Sequence, residues 1–301
     1  MGDVRPFFVV RSAHSKPMND KSEPSLRNIS DTALWVAIYR ARETERADAV
    51  FKDPFARQLA GERGEQIAGE MQLGMKYEWP FIARTVAFDR FVKERVAAGT
   101  DTVINLAAGL DTRPFRLDLP ADLKWVEVDL PAMIDYKEER LAVETPRCRL
   151  ERVRLDLRDA DARRELFHRI GAESKNVLVI TEGLIIYLSD EEVTELARDL
   201  ANETSFKDWI TDLATPALLK MLQKGYDSLE KANAQLKFAP ENGPDFFTPL
   251  GWNPVEIYSS LKTAAEVKRL PFLFRIFALF PDSKGRKPKQ VWGGAIRLTR
   301  A

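Results

Sequence analysis

The chain combines short apolar runs with longer segments in which apolar residues recur every three or four positions. From residue 100 onward, the apolar runs predict buried strands and the segments between them predict helices. Strands and helices that alternate with short connections are typical of a parallel sheet with right-handed crossovers. The predicted strands span 102–107, 124–129, 151–155, 176–182 and 207–213, and the predicted helices span 113–117, 131–144, 159–170 and 189–203.

Helical signals also dominate the first hundred residues, after a polar beginning. Residues 1–28 are rich in helix breakers and predict a tail or an arm that covers a substrate. Capping residues and a helix-initiating proline then predict three helices. These helices run from Asp31 toward Glu45, from Asp53 and Pro54 to Gly61, and from Pro80 to Gly99.

The last third of the chain has a mixed pattern. Residues 215–240 predict an inserted helix, 238–254 a proline-rich loop, and 255–264 a further helix. The apolar run 270–280 fits either a strand or a helix, and 291–298 predicts a terminal strand. We therefore treat 1–301 as one domain, divided into a tail and helical cover (1–99), a core (100–214), a lid insertion (215–254) and a completion of the sheet (255–301).

Composition narrows the classes of partner. The chain has 46 basic and 46 acidic residues and no basic stripe, which argues against nucleic acid as a partner. No apolar stretch reaches membrane-spanning length, and no signal peptide is evident, so we expect no membrane partner. The single cysteine, Cys148, excludes an internal disulfide and suits a cytoplasmic location. The sequence indicates no metal site, and it leaves the oligomeric state open.

Two neighbouring strand ends carry the most informative pattern. The apolar run before residue 107 breaks at Ala107, Ala108 and Gly109, where a backbone can approach a ligand closely. About twenty residues later the second strand ends on Asp129, a spacing typical of adenosine-ribose recognition. Ala107 stands where a glycine is common, and an alanine there still permits a close approach if its φ is negative.

Further acidic residues follow the later strands. Asp156 and Glu182 come at the ends of the third and fourth strands, roughly one strand–helix unit apart. Ligands of open parallel sheets bind outside the carboxyl ends of the strands. We therefore expect Asp129, Asp156 and Glu182 to line one edge of the sheet.

Three ordered motifs resemble the leucine carboxyl methyltransferase-like family, in its bacterial O-methyltransferase branch. They are Ala-Gly-Leu-Asp-Thr-Arg-Pro-Phe-Arg-Leu at 108–117, Glu-Val-Asp-Leu-Pro at 127–131 and Thr-Glu-Gly-Leu-Ile-Ile-Tyr-Leu at 181–188. The resemblance extends to Arg40-Ala-Arg-Glu43, to Asp53-Pro-Phe-Ala56 and to the helix of Arg84, and it covers roughly residues 30–215. It implies S-adenosylmethionine (SAM) as cofactor and a Rossmann-like, class I methyltransferase fold. Such a fold has a seven-stranded α/β sheet with one antiparallel strand.

The resemblance also implies roles for particular residues. Asp129 would bind the ribose hydroxyls, Asp156 the adenine amino group, and Leu157 would lie against the adenine ring. The turn at Ala107 and Gly109 would approach the nucleoside, and Glu182 would face the methionine end of SAM. Arg84 would grip the cofactor carboxylate with assistance from Arg40 or Arg42, and Tyr187 would lie near the methyl acceptor.

Each role competes with a structural alternative. Asp129 could cap the helix that Pro131 opens, and Asp156 could cap the next helix. Glu182 could belong to a structural ion pair, and Arg84 could lie on a helix surface. Glu127 shares a strand face with Asp129 and could either support the site or bind directly. For Arg113 and Arg116 we favour local salt bridges that orient the glycine turn.

The methyl acceptor determines whether a base is needed. A hydroxyl must lose a proton, whereas a carboxylate is already ionised at neutral pH and needs only orientation. The two histidines, His14 and His168, lie away from the expected site, which favours a small-molecule or peptide carboxylate. Asp212, at the end of the fifth strand, is a second candidate on the acceptor side.

Two other classes of protein share part of this pattern. An NAD-dependent oxidoreductase would need a third glycine about three residues after Gly109, where the sequence has Thr112 followed by Arg-Pro-Phe. A non-catalytic SAM-binding protein would be indicated by loss of the cofactor carboxylates, and these are present.

Overall fold

The computed structural model describes residues 31–71, 78–225 and 235–301. Within them, seven strands form one sheet in the order β3-β2-β1-β4-β5-β7-β6. The strands are β1 (Thr102–Leu106), β2 (Lys124–Asp129), β3 (Arg149–Arg154), β4 (Val177–Thr181), β5 (Phe206–Ala214), β6 (Trp252–Ser259) and β7 (Gly293–Arg300). β7 runs antiparallel to both of its neighbours, β5 and β6, whereas the other six strands share one direction, so the expected mostly parallel sheet with one antiparallel strand is confirmed.

Helices cover both faces of this sheet. They are α1 (Asp31–Glu45), α2 (Ala56–Met71), α3 (Trp79–Ala97), α4 (Arg113–Arg116), α5 (Pro131–Arg140), α6 (Ala160–Glu173), α7 (Asp190–Asn202), α8 (Pro216–Gly225), α9 (Ser260–Glu266) and α10 (Phe272–Arg275). Three 3₁₀ segments span Ile185–Tyr187, Gly243–Leu250 and Phe277–Leu279. None of the helices in the described ranges is long and apolar enough to cross a bilayer.

The strand order determines where a ligand can bind. The chain moves outward from β1 to β2 and β3, and then returns to place β4 on the other side of β1. Every residue of β1 and of β4 is buried, because helices cover both faces of these central strands. The return between β3 and β4 opens a crevice at the carboxyl ends of β1 and β4, which is where ligands of such sheets bind.

Most element predictions for the core are confirmed within a few residues. All five predicted strands form, and the capping box at Ser189 and Glu192 begins α7. The second predicted helix is broken at Gly61 as expected, since the backbone there has φ 59° and is not helical, but a further helical stretch then continues to Met71. The predicted tail at 1–28 and part of the insertion, 226–234, lie outside the described residues.

The predictions for the last third are partly wrong. Residues 255–259 belong to β6 rather than to a helix, and the helix begins only at Ser260. Pro254 suggested a loop, but it lies in β6, which is an edge strand. The pairing of β6 with β7 shifts between Pro254 and Glu256, so the proline interrupts no hydrogen bond of a central strand. The ambiguous run 270–280 forms two short helical segments.

Candidate active site

A cleft of about 1780 Å³ opens at the carboxyl edge of the parallel strands. Nine of the residues predicted for the site contribute to its lining, although they come from six separate segments of the chain. These lining residues are Arg84, Ala107, Gly109, Asp129, Asp156, Leu157, Glu182, Tyr187 and Asp212. The strand edge therefore brings the predicted site residues together in one place.

The turn after β1 adopts a left-handed backbone at two positions. Gly109 has φ 49°, which glycine adopts without strain. Ala107 has φ 53°, so the condition of a negative φ at this alanine is not met. The turn is fixed from both sides, since its Gly109 amide donates to Asp129 Oδ2 at 2.6 Å and Arg40 Nη2 donates to the Leu110 carbonyl at 2.6 Å.

The left-handed alanine leads to a prediction about stability. A non-glycine residue in this conformation costs roughly 1–2 kcal/mol, and a β-branched residue costs more. We expect Ala107→Gly to leave the free energy of unfolding unchanged or to raise it by up to about 1 kcal/mol, because strain relief outweighs the extra chain entropy. Ala107→Val should lower it by more than about 2 kcal/mol. Urea unfolding measures both, and equal effects of glycine and valine would contradict the left-handed turn.

Asp129 supports the turn and still has capacity to bind a ligand. Its Oδ2 accepts from Gly109, and its Oδ1 accepts from the Leu130 amide at 2.7 Å. A carboxylate offers about four acceptor positions, so about two remain toward the cleft. Burial raises the pKa of Asp129, although these two amide bonds oppose the change. Asp129 is not the cap of α5, because Leu130 occupies the N-cap position without a side-chain bond.

Asp156 and Leu157 form the outer wall of the cleft. Asp156 is paired with the exposed Arg158, with Nη2 and Oδ2 at 2.5 Å. Asp156 does not cap the helix that follows, because the Asp159 side chain accepts from Ala162 at the start of α6. The Leu157 carbonyl accepts from Arg163 Nη1 at 2.7 Å, which fixes the backbone at the end of β3.

An ion-pair cluster lies at the inner end of the cleft. Glu182 contacts two arginines, with Oε1 at 3.1 Å from Arg84 Nε and Oε2 at 2.8 Å from Arg113 Nη1. Arg84 also contacts Asp212, whose other oxygen accepts from the Gly183 amide at 2.6 Å. Burial opposes the charge of Arg84, yet Asp212 and Glu182 beside it raise its pKa. Arg84 is therefore part of a buried network rather than of a helix surface.

The same cluster continues behind the glycine turn. Arg113 donates from Nε to Asp89 Oδ1 at 2.7 Å and from Nη1 to Asp111 Oδ2 at 2.9 Å. Arg116 contacts both oxygens of Asp89 at 2.7 Å. Arg113 and Arg116 thus form the local salt bridges expected of them, and both also line the cleft. The cluster therefore contains four carboxylates and three guanidinium groups, which gives it a net charge of −1 when all are ionised. These groups belong to Asp89, Asp111, Glu182 and Asp212, and to Arg84, Arg113 and Arg116.

Asp111 gives a pH-dependent prediction. Burial is the largest single influence and opposes its ionisation, but the charges of Arg113, Lys137 and Arg116 together outweigh it and lower the pKa of Asp111 to about 2. Because the folded pKa lies below the unfolded value, ionised Asp111 stabilises the fold above about pH 4, and this contribution is lost as the pH falls toward 2. We expect Asp111→Asn to cost about 2 kcal/mol at pH 7 and progressively less below pH 4. Urea unfolding at several pH values tests this, with exposed Asp118→Asn as control; a constant difference down to pH 3 would contradict it.

Burial and ion pairing decide two alternatives that the sequence left open, namely the role of Glu127 and the choice between Arg40 and Arg42. Glu127 is fully buried between Lys137 Nζ at 2.7 Å and Arg152 Nε at 3.0 Å, so it is a structural residue behind Asp129. Arg42 pairs with Glu65 and Glu78 outside the cleft. Of the two arginines left open by the sequence, only Arg40 reaches the cleft and the glycine turn.

The cleft also contains Tyr187, which we expected near the methyl acceptor. Its hydroxyl is hydrogen-bonded to the Thr32 side chain, and burial raises its pKa. Tyr187 is therefore a hydrogen-bond donor rather than a base at neutral pH. His168 lies exposed on α6, 3.5 Å from Glu203, and His14 lies outside the described residues. No group of His, Cys, Asp and Glu in the described part of the chain could hold a metal ion.

Sequence reasoning missed the residues that support this site from behind. Asp89 lies in α3 next to apolar residues that face the sheet, and this unusual position for a carboxylate was the available signal. Asn105 is buried in β1 and donates to Asp111 Oδ2 at 2.8 Å. Thr32 carries no motif of its own, so its contact with Tyr187 could not be foreseen.

Solved structures with this architecture define the class of fold. The chain superimposes on a DUF574 family protein from Streptomyces avermitilis with TM-score 0.59 and 14% identity, over 88% of this chain and 97% of that one. It also superimposes on a "putative methyltransferase" from Thermobifida fusca with TM-score 0.56 and 15% identity, over 92% and 96%. The fold is that of the class I SAM-dependent methyltransferases.

The sequence comparisons define the family. The family model described as leucine carboxyl methyltransferase matches residues 33–201, more than half of the chain, and the chain belongs to this family. Proteins from Mycobacteroides abscessus (33% identity over 188 residues) and Parafrankia (35% over 202 residues) both carry the name "Putative S-adenosyl-L-methionine-dependent methyltransferase". These alignments cover 58% and 64% of this chain and 61% and 63% of the relatives, which is less than two thirds of their lengths.

Proposed function

We propose that the protein is a SAM-dependent O-methyltransferase that methylates a carboxylate of a small molecule or peptide. One observation carries this proposal: the left-handed turn at Gly109, the partly free Asp129 carboxylate and the cluster around Arg84 converge in one cleft. The family membership supports the same reaction class, while the activity of this chain is our inference.

The residues present fit the chemical groups of SAM. The ribose hydroxyls would donate to the remaining acceptor positions of Asp129, and the adenine amino group would donate to Asp156, beside Leu157. The net charge of −1 at the inner end favours the cationic sulfonium and ammonium groups. Nε and Nη1 of Arg84 are engaged with Glu182 and Asp212, so we assign its Nη2 to the cofactor carboxylate.

Methylation of a carboxylate acceptor in this cleft requires orientation of the acceptor but no base. When bound, SAM supplies a methyl group on a positively charged sulfur. A carboxylate oxygen of the acceptor forms the new C–O bond, the C–S bond breaks, and its electron pair stays on sulfur, so no proton has to be removed. The protein needs only to orient the acceptor and exclude water, and the protonated Tyr187 hydroxyl can donate to the acceptor oxygen that does not react.

The test is transfer of a labelled methyl group from SAM to a panel of carboxylic acids and peptides. A methyl ester releases labelled methanol in mild alkali, whereas a methyl ether does not, so the product distinguishes carboxylate from hydroxyl acceptors. Calorimetry with SAM measures cofactor binding separately. SAM binding without transfer to any acceptor would favour the non-catalytic alternative, and absence of SAM binding would refute the proposal.

Tyr187→Phe separates acceptor orientation from cofactor binding. Loss of a hydrogen bond to a charged oxygen costs about 1.5–3 kcal/mol, so we expect kcat to fall roughly 10- to 100-fold. The affinity for SAM should stay within about twofold, because the Tyr187 hydroxyl is not assigned to the cofactor. Tyr136→Phe, which removes a hydroxyl bonded to the Leu59 carbonyl outside the cleft, is the matched control. Unchanged kcat in Tyr187→Phe would remove this residue from the acceptor site.

A further inference from the structure

One wall of the cleft is apolar and exposed. Large apolar side chains are normally buried or scattered, but four on this wall are between 50% and 57% exposed. They are Met221, Phe277, Phe280 and Val291, and all four line the cleft. This wall is opposite in character to the charged strand edge that we assign to the cofactor.

The volume of the cleft leaves room for a second ligand. Sites for single small molecules usually have about 300–1,000 Å³. The cleft has about 1780 Å³, so a cofactor at the strand edge would leave a large part of it open. The apolar wall faces this remaining space, where water contact is unfavourable for Phe277 and Phe280.

The apolar wall is continuous with the acceptor end of the charged site. Val291 of this wall lies two residues before Gly293, which pairs with Ala214, two residues or about 7 Å along β5 from Asp212. On the other side, Leu222, next to Met221 of the wall, packs against the same apolar cluster as Ile186 and Tyr187. A ligand with its polar end at Tyr187 can therefore extend along the apolar wall.

We propose that the methyl acceptor is an amphipathic carboxylic acid with an extended apolar body. Its carboxylate would lie at Tyr187, and an aliphatic body of about ten carbons or more would cover Phe277, Phe280 and the neighbouring apolar wall. This assignment of substrate class rests on the proposed function for the carboxylate end, while the wall itself can be tested without catalysis.

The test compares straight-chain acids of six, eight, ten and twelve carbons, below their micelle concentrations. Equilibrium dialysis with labelled acids measures binding to the full chain with and without SAM, and methyl transfer gives kcat/KM. Because the transfer of each methylene group from water to the apolar wall contributes favourable free energy, we expect the binding affinity to rise several-fold or more for each two carbons added. Equal affinity for all four acids would overturn the inference, whether or not any methyl group is transferred.

Neighbouring residues on one segment provide matched variants. Phe277→Ser and Phe280→Ser remove side chains that line the cleft and should weaken binding of the twelve-carbon acid at least tenfold. Leu279→Ser is the control, because Leu279 is 83% exposed but does not line the cleft. Binding of the six-carbon acid and of SAM should not change in any of these variants.

Two outcomes would contradict the assignment, and a third would separate the apolar site from the proposed function. An equal loss in Leu279→Ser would indicate general surface adsorption, such as docking on a lipid surface, instead of an acceptor wall. If a peptide carboxylate is methylated with a higher kcat/KM than every aliphatic acid, the acceptor is a peptide and not an amphipathic acid. If SAM fails to bind while the twelve-carbon acid still binds in a Phe280-dependent manner, the proposed function fails and the apolar site remains.

Discussion

Asp129→Ala should weaken SAM binding at least about 100-fold. The carboxylate would lose two hydrogen bonds from the ribose hydroxyls, each worth about 1.5–3 kcal/mol because the acceptor is charged. The same change frees the Gly109 amide, so the turn that approaches the nucleoside loses its support. Isothermal titration calorimetry with SAM measures the effect directly.

Two further variants show whether the loss is specific. Asp129→Asn keeps one side-chain oxygen as an acceptor and should bind SAM with intermediate affinity, roughly tenfold weaker than the unchanged protein. Asp135→Ala removes an exposed carboxylate of α5 that pairs with Arg154 outside the cleft, and its affinity should not change. If Asp129→Ala and Asp135→Ala bind SAM equally well, Asp129 is not a cofactor residue.

Arg113→Met should give the largest loss of stability. The Arg113 side chain is 3% exposed and contacts three carboxylates, those of Asp89, Asp111 and Glu182. Removing the cation from a buried ion-pair network costs about 3–5 kcal/mol, since the remaining charges lose their partner in a poorly solvated place. For a protein of this size we expect Tm to fall by roughly 10 °C.

The control for this variant is an arginine in an exposed pair. Arg169→Met removes a partner of Glu151 whose side chain is 40% exposed, so the cost should be within about 1 kcal/mol. Adding Glu182→Gln to Arg113→Met removes one of the excess negative charges left in the cluster and should recover part of the lost stability. Equal Tm values for Arg113→Met and Arg169→Met would show that the buried cluster contributes little to folding.

The core of the sheet could be predicted because local pattern and tertiary environment agree there. β1 and β4 are short apolar runs, and they are buried on both faces. β6 was missed because its edge position tolerates Pro254, while the sequence window around it has the residues of a loop. β6 is defined by its hydrogen-bonded pairing with β7, and no local sequence pattern specifies that pairing.

Some residues of the candidate site could likewise be predicted from the sequence, and others could not. The positions of Gly109 and Asp129 at the cleft could be predicted from the sequence because each lies at or near the end of a strand, and the two strands are adjacent in chain order. The role of Ala107 could be predicted only in part, since its left-handed φ is imposed by the turn around it. Asp89 was missed because its two arginine partners come from a different segment, more than twenty residues away.

The sequence by itself determined the alternating architecture, the family and the acids at the strand ends, because these depend on period and on residues close to each strand. Only the tertiary structure decided how the charges are paired. Arg84 meets Glu182 and Asp212 across 98 and 128 positions of the chain, and Arg113 draws Asp89, Asp111 and Glu182 together. Such contacts depend on the order of strands in the sheet and on the helices packed over it. Local periodicity does not encode that order, so the electrostatics of the cleft and its apolar wall become visible only in the folded chain.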